Sequence, residues 1–564
     1  MVKYRMGEQY DIIIVGAGFG GPVAAKICAD AGLKTLMLER AERIGDKVIS
    51  GLTIPFHGFL FGPDFIRDGN PPIERPSDGI INYIIKDIEK GDIEIDDSLK
   101  VPKPFSPVIA FGYNAYCKSF CEWEVKKALE AGAILKKSTT AVDVIKREGV
   151  IEGLITDKGE KIFSKIIIDA EGSQGLLAIK AGIRKKYPPE TISLADTYDY
   201  IMPKEKIDEI FGYSVKMCWG WDEQRIAPPL GHGNGLMVWP YRNSLHFMQD
   251  QCLRLNESYV PNLKKLFQLY HKNITTKLTW WRDLVEPQAQ LRARMWAGFE
   301  IYVGLDKNLR AMSNHTGGML LIGDAAGLES TELCDGVPAA WFSAEIAAKV
   351  AIKAIKANNV SKEFLSHYDR QIRMHPIIQW SLSGRNRFDL RIAQEEHNFK
   401  KLKKYIHNGW GLGALIYFMS PFLQMLFSYI NKDPGIMIKW IKMFFRFYQN
   451  WIYETYDFSE TLKIKQVSSK KLRKMEMRFH YLLRLMDKVF HSLHKTRKII
   501  SLILIPVSNS INKFLRGIFP IFEPLYSLTL CILQPILNRI GENVVNFVKY
   551  ANPVIFKNIL GGKS

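Results

Sequence analysis

The chain has 564 residues, of which 47% are hydrophobic, 12% aromatic and 24% charged, with 42 Gly and 26 Pro. That composition excludes disordered, collagenous and fibrous chains, and the length leaves room for roughly two to four domains with buried cores. The net charge of +19 is concentrated: residues 400–564 carry 26 Lys and Arg against 8 Asp and Glu, while the first 399 carry 51 against 50.

Met1–Tyr10 is polar, and the apolar run that follows is too short for a secretory signal, so the chain is expected on the cytosolic side. Asp11-Ile-Ile-Ile-Val15 is a β-branched run of the kind that forms a strand buried on both faces. Gly16-Ala-Gly18-Phe-Gly20-Gly21 follows directly. Pro22–Gly32 reads as an Ala-rich helix and Leu33–Glu39 as a second strand, which completes a βαβ unit. A helix is expected over Phe120–Ala131, then strands near 139–147, 150–157 and 162–169. A second α/β segment combines strand Gly318–Ile322, a tight turn and helix Val337–Lys356.

Gly16-x-Gly18-x-x-Gly21 is a dinucleotide fingerprint in its required context, between an apolar strand and a helix, with Glu39 ending the next strand. Gly16 permits the tight turn, Gly18 lets the backbone approach a pyrophosphate, and Gly21 lets helix and strand pack closely. Glu39 is expected to accept hydrogen bonds from ribose hydroxyls, with Arg40 beside it. The sparse cysteines, seven in all, fit a reducing compartment. Cys117 and Cys121 read as buried structural thiols. His232, His246 and His315 show no metal-ligand spacing and read as core or surface residues; no metal site is expected.

Met319-Leu-Leu-Ile-Gly323-Asp324-Ala-Ala-Gly327, followed by Asp335-Gly336-Val337 and a helix, resembles the second FAD motif of the aromatic-hydroxylase superfamily. Ile166-Ile-Ile-Asp-Ala-Glu171-Gly172 resembles its middle motif, with Glu171 where Asp is usual and Gly175 where a Ser is usual. Within that superfamily, Ser50-Gly51-Leu-Thr-Ile-Pro55 and Gly235-Leu-Met-Val-Trp239-Pro240-Tyr241 resemble the branch of geranylgeranyl reductases and electron-transfer flavoprotein–quinone oxidoreductases. Gly235 and Met237 stand where the polyprenyl reductases place Tyr and Trp.

The resemblance implies FAD as cofactor and an α/β fold: a Rossmann-type FAD-binding domain with an inserted β-sheet substrate domain and a basic, mostly helical C-terminal extension. The body would span 8–400, with about 8–60, 105–185 and 300–360 binding FAD and about 61–104 and 186–299 forming the substrate domain; 401–564 would be the extension. Gly323 and Asp324 would meet the ribityl side of the flavin, Gly336 and Val337 would open the helix aimed at it, and Ser50 and Gly51 would lie beside the isoalloxazine. Val142 would lie on the adenine side. Trp239 and Tyr241 are the pocket candidates; no catalytic acid is identifiable.

The tail contains an uncharged run, Tyr405–Asn431, whose centre is long enough to span a bilayer core of about 30 Å or to insert from one side. In Ile436–Tyr453, Lys439, Lys442 and Arg446 recur among aromatic residues, as suits a headgroup region. The expectation is therefore attachment to the cytoplasmic side of a membrane, peripheral, monotopic or single-span, and no nucleic acid partner. The first functional expectation is electron transfer between a soluble carrier, an electron-transfer flavoprotein or ferredoxin, and a membrane quinone. The alternative is reduction of prenyl-lipid double bonds; a flavin monooxygenase and a non-enzymatic prenyl-binding escort come after. After Cys334 only Cys531 remains, so the tail cannot ligate a four-Cys iron–sulfur cluster.

Overall fold

The computed structural model describes residues 9–46, 51–87, 92–100, 112–185, 192–211, 215–222, 233–252, 263–300, 313–328, 336–375 and 378. They all belong to the first of two units, Met1–Glu396 with Trp440–Thr461; the second is His397–Lys439 with Leu462–Ser564. The tail segments expected at the membrane lie outside the described residues, as do Ser50 and His232.

In chain order the elements are β1 (Gln9–Val15), α1 (Gly21–Asp30), β2 (Thr35–Leu38), β3 (Gly51–Pro55), α2 (Phe56–Phe61), α3 (Asp64–Asp68), β4 (Ile73–Asp87), β5 (Asp92–Lys100), β6 (Gly112–Tyr116) and α4 (Cys117–Glu130). Next come β7 (Ile134–Lys136), β8 (Ala141–Arg147), β9 (Val150–Thr156), β10 (Lys161–Asp169), α5 (Leu176–Lys180), β11 (Ile192–Ile201), α6 (Lys204–Phe211), β12 (Val215–Asp222), β13 (Gly233–Pro240) and β14 (Ser244–Cys252). The last are α7 (Leu263–Lys277), β15 (Gln290–Glu300), β16 (His315–Thr316), β17 (Met319–Leu321), α8 (Val337–Lys356) and α9 (Lys362–Met374).

The first sheet runs β16-β17-β10-β1-β2-β7, with β17, β10, β1, β2 and β7 mutually parallel. Ile12, Ile13 and Ile14 are fully buried, which is why β1 carries an unbroken apolar run and no polar alternation. The β8–β9 hairpin extends this sheet from β10. The second sheet runs β15-β11-β14-β13-β12-β4-β6-β3, with β5 on β4; it is antiparallel except where β12 meets β4. It draws β3 and β6 from either side of the β4–β5 hairpin, so the segment beside the dinucleotide fold also edges the inserted sheet. The α/β body with an inserted sheet is thus the fold, closed by α8 and α9.

One face of the second sheet is an apolar core. Tyr198, Tyr200, Val238, Leu245 and Phe247 pack there with Ile274 and Leu278, and with Trp281 and Val285 of a π-helical turn. The opposite face carries Asp199, His246 and Trp239 in one cross-strand row. Helix α4 begins at Cys117, three residues before the expected start, because Tyr116 ends β6 and caps the helix with no turn residue between.

Aromatic packing ties the helices to the first sheet. Phe120 lies 5.8 Å from Phe19 of the Gly-rich loop and stacks on Trp341 of α8 at 5.7 Å, and Phe59 of α2 meets Trp341 at 5.6 Å. The Trp341 indole Nε1 donates to Glu124 Oε1 at 2.7 Å, both residues being completely buried. Burial holds the Glu124 carboxyl well above the ordinary carboxylate range, against the lowering effect of that hydrogen bond. Glu124 is thus a buried acceptor, its charged form disfavoured, for an indole that has no water to turn to. Glu124→Gln keeps an acceptor and should change unfolding free energy by less than about 1 kcal/mol, whereas Glu124→Ala strands the indole N–H at a cost of about 1–3 kcal/mol in urea unfolding near neutral pH.

Candidate functional site

Three loops converge at the C-terminal ends of parallel neighbours, the position where open α/β sheets bind ligands. The Gly-rich turn leaves β1, the Asp169–Gly175 turn leaves β10, and the Gly323–Gly327 turn follows β17. Backbone bonds lock them side by side: Ala170 N–H donates to Val15 O at 2.8 Å, and Ile322 N–H to Asp169 O at 2.9 Å.

Gly16 has φ +104, and a Cβ there would overlap the Ala170 carbonyl. At Gly21 a Cβ would collide with the Gly16 carbonyl, so the start of α1 sits directly on the turn. Gly18 differs, since a Cβ there would meet no atom within 4 Å. The first two glycines are forced by protein contacts; the third borders open space, as a pyrophosphate-approach position should. The N-terminus of α1 has no side-chain cap and no acidic residue in its first turn, so its amides remain donors for an anion.

The Glu39 carboxylate accepts from Ala17 N–H at 2.9 Å through Oε2 and from Ala41 N–H at 2.8 Å through Oε1. It therefore clamps the Gly-rich loop to the end of β2, and each oxygen keeps lone-pair capacity for a ribose hydroxyl. Arg40 is exposed and reaches across to Gln174 Oε1 at 2.8 Å. Val142 lies half-buried at the start of β8. Gly323 (φ +57) donates its N–H to Ser343 Oγ at 3.0 Å, which fixes the turn onto α8. Asp324 is half-buried, and burial raises its carboxyl while Arg184 opposes that rise. Among the described residues its carboxylate receives no hydrogen bond, which suits an acceptor for ribityl hydroxyls. Gly336 caps α8 and Val337 is buried at its first turn.

Arg184 is the residue that motif reading missed. It is buried after α5, donates from Nη1 to Ala325 O at 2.6 Å and from Nη2 to Ser173 O at 3.3 Å, and so bridges two of the three loops. Its guanidinium fills the volume that a Cβ at Gly175 (φ +44) would need. That explains the glycine where related motifs carry Ser: a side chain there would evict the arginine. The available signal was that small residue with an Arg nine positions later.

Arg184 also faces a crowded pair of acids. Asp169 is completely buried and Glu171 half-buried; Glu171 Oε2 accepts from Leu177 N–H at 2.9 Å, and Asp169 Oδ1 from Glu171 N–H at 3.0 Å. Burial raises Asp169 to about 6. Burial, then repulsion from Asp169, raises Glu171 to about 8, so the pair holds a proton at neutral pH.

On the second sheet, Trp239 is 5% and Tyr241 1% exposed. The main chain here is pinned from two completely buried side chains: Arg75 Nε donates to Tyr241 O at 2.8 Å and Asn114 Nδ2 to Pro240 O at 3.1 Å. The Tyr241 ring lies 4.5 Å from His246 and 6.3 Å from Tyr116, while Tyr116 pairs in register with Gly51. The geometry thus joins Tyr241 to the Gly51 strand through Tyr116. His246 is fully buried and meets Asp199 at 2.9 Å, and Asp199 is held by Arg292. Cys117 and Cys121 are buried thiols outside any disulfide, and burial pushes Cys121 well above the ordinary thiol range.

The folded acid pair keeps a proton that an unfolded Glu releases near its ordinary 4.5, so its contribution to stability falls as pH rises from there to about 8. Above that window the pair carries a second negative charge, beside the turn proposed to meet the pyrophosphate. FAD affinity should then drop on the order of tenfold between pH 7 and 9, and Glu171→Gln should flatten both the melting and the FAD-titration profiles.

Residues 11–341 match the FAD dependent oxidoreductase family. A digeranylgeranylglycerophospholipid reductase of Methanocaldococcus jannaschii is 27% identical over 377 residues, 65% of this chain and 83% of that protein. Protein FixC of Rhizobium meliloti is 33% identical over 211 residues, 36% of this chain and 46% of that protein, less than half of its length. A crystal structure of a geranylgeranyl bacteriochlorophyll reductase-like protein of Thermoplasma acidophilum superposes with a TM-score of 0.51 at 22% identity, covering 68% of this chain and 88% of that one, and establishes the shared fold. The chain belongs to the FAD-dependent oxidoreductases, in the branch related to geranylgeranyl reductases and FixC, and FAD is its cofactor.

Proposed function

We propose that this chain reduces isoprenoid double bonds of a prenyl lipid, drawing electrons from a soluble carrier protein. The observation that carries the reading is the match at 27% identity along 83% of a digeranylgeranylglycerophospholipid reductase; a FixC protein of Escherichia coli is matched over the same share at 25% identity, so the margin between the two readings lies in identity and not in coverage. The aromatic wall of Tyr116, Trp239 and Tyr241 supports it, because an apolar acceptor needs a surface that excludes water. Bound FAD supplies hydride chemistry.

Glu39 and Asp324 would hold the ribose and ribityl hydroxyls, and the α1 amides the pyrophosphate. Arg184 keeps the Asp324 turn in register with the Asp169–Gly175 turn. Buried Arg75 and Asn114 hold the Pro240–Tyr241 main chain rigidly, so the aromatic wall keeps its place beside Gly51 whatever the acceptor. Quinone reduction would use the same flavin site with a different acceptor. Two measurements separate the readings. After anaerobic photoreduction, a geranylgeranyl lipid should reoxidise the flavin and gain two hydrogens per reacted double bond; reoxidation by a quinone analogue alone would overturn the reading.

Attachment to the cytoplasmic face of a membrane belongs to the same proposal. Among the described residues no helix is long and apolar enough to cross a membrane, so the support is the basic, apolar tail. Each basic residue near an anionic leaflet is worth about 1 kcal/mol. Replacing Lys439, Lys442 and Arg446 together by Ala in the full chain should weaken co-sedimentation with anionic vesicles on the order of a hundredfold and leave FAD content unchanged.

A further inference from the structure

Two buried donors on the acceptor wall have nothing to donate to. Among the described residues, Trp239 Nε1 and Tyr241 Oη make no hydrogen bond, and both atoms are shut off from solvent. Buried donors are nearly always paired, and a stranded one carries its full desolvation penalty. Phe at 241 would give nearly the same packing without that penalty, and a wholly apolar side chain at 239 would avoid it too. Stability therefore does not account for the indole and the phenol.

Their setting is built rather than accidental. Trp239 stands directly opposite His246, and His246 opposite Asp199, so three neighbouring strands bring these side chains to one face. Asp199 receives Arg292 Nε at 2.8 Å from the edge strand β15, and His246 lies 4.5 Å from the Tyr241 ring. That polar row wedges Tyr241 in place, while Arg75 and Asn114 pin the main chain under it.

We propose that Trp239 and Tyr241 form a donor site for an oxygen of the acceptor, so that this chain takes prenyl acceptors bearing a hydroxyl, ether or carbonyl oxygen near the reacted bond. This rests on the prenyl-lipid reading and adds to it which prenyl compounds are accepted.

The test is binding to the oxidised holoenzyme, read from the flavin absorbance change, with geranylgeraniol and its hydrocarbon analogue lacking the hydroxyl. Wild type should bind the alcohol roughly tenfold more tightly, the net value of one to two buried hydrogen bonds. Tyr241→Phe keeps the ring and should abolish most of that preference by weakening the alcohol alone; Trp239→Phe keeps an aromatic but smaller ring and should likewise abolish most of the preference, whatever it costs both compounds in common. Unchanged FAD content checks that each variant is folded. Equal binding of alcohol and hydrocarbon by wild type, or a preference that survives both variants, overturns the donor site while leaving prenyl binding intact. Binding of a quinone analogue that depends on both donors, with neither prenyl compound bound, would uphold the donor site and overturn the prenyl reading.

Discussion

The close approach of β1 to β10 is the constraint on which the cofactor site depends. Where Val15 ends its strand, the chain must turn within the space left by Ala170, and that space is smaller than a methyl group at Gly16. Only glycine fits, and only with positive φ. The same crowding seats α1 on the turn, because Gly21 in its turn abuts the Gly16 carbonyl. Helix amides and strand ends are thereby brought to one rim, with Gly18 left open.

Charge sets a second condition. Glu39, Asp169, Glu171 and Asp324 all lie on or beside the three turns proposed to hold the cofactor, where four full negative charges would repel an anionic group. The chain resolves this in three ways. Glu39 turns both carboxylate oxygens toward backbone amides of the chain itself. Asp169 and Glu171 share a proton between them. Arg184 sits among the acids and donates from Nη1 and Nη2 to carbonyls of two separate loops. A single guanidinium thus serves as counter-charge and as tie-bar, and it can do so only because Gly175 yields its side-chain volume.

The inserted sheet divides its labour by face. Tyr198, Tyr200 and Phe247 alternate inward against α7 and Trp281, giving the sheet its stability. With the period of two, the intervening residues Asp199 and His246 emerge opposite, joined there by Trp239. A row of charged and polar groups on that second face is a poor source of stability, since the desolvation of buried ions offsets their attraction. Its value lies in fixing Tyr241 and Trp239 relative to β3 and β6, which carry Gly51 and Tyr116 to the same place.

Local chemistry was enough to read the dinucleotide fold. The all-apolar β1, the glycine spacing, Glu39, and the Gly323–Asp324 turn ahead of α8 are short-range patterns whose physical demands are met within a few residues, so residue order alone determines them. The membership of β3 and β6 in the second sheet was not readable, because it depends on pairing partners distant in the chain. Arg184 escaped for the same reason: a buried arginine is recognised by the carbonyls it reaches, which belong to residues 173 and 325. His246 read as an ordinary core residue until Asp199 and Trp239 were seen beside it. Spacing along the chain specifies what a turn or a helix needs, whereas desolvation, cross-strand register and long-range charge pairing exist only once distant segments are folded together.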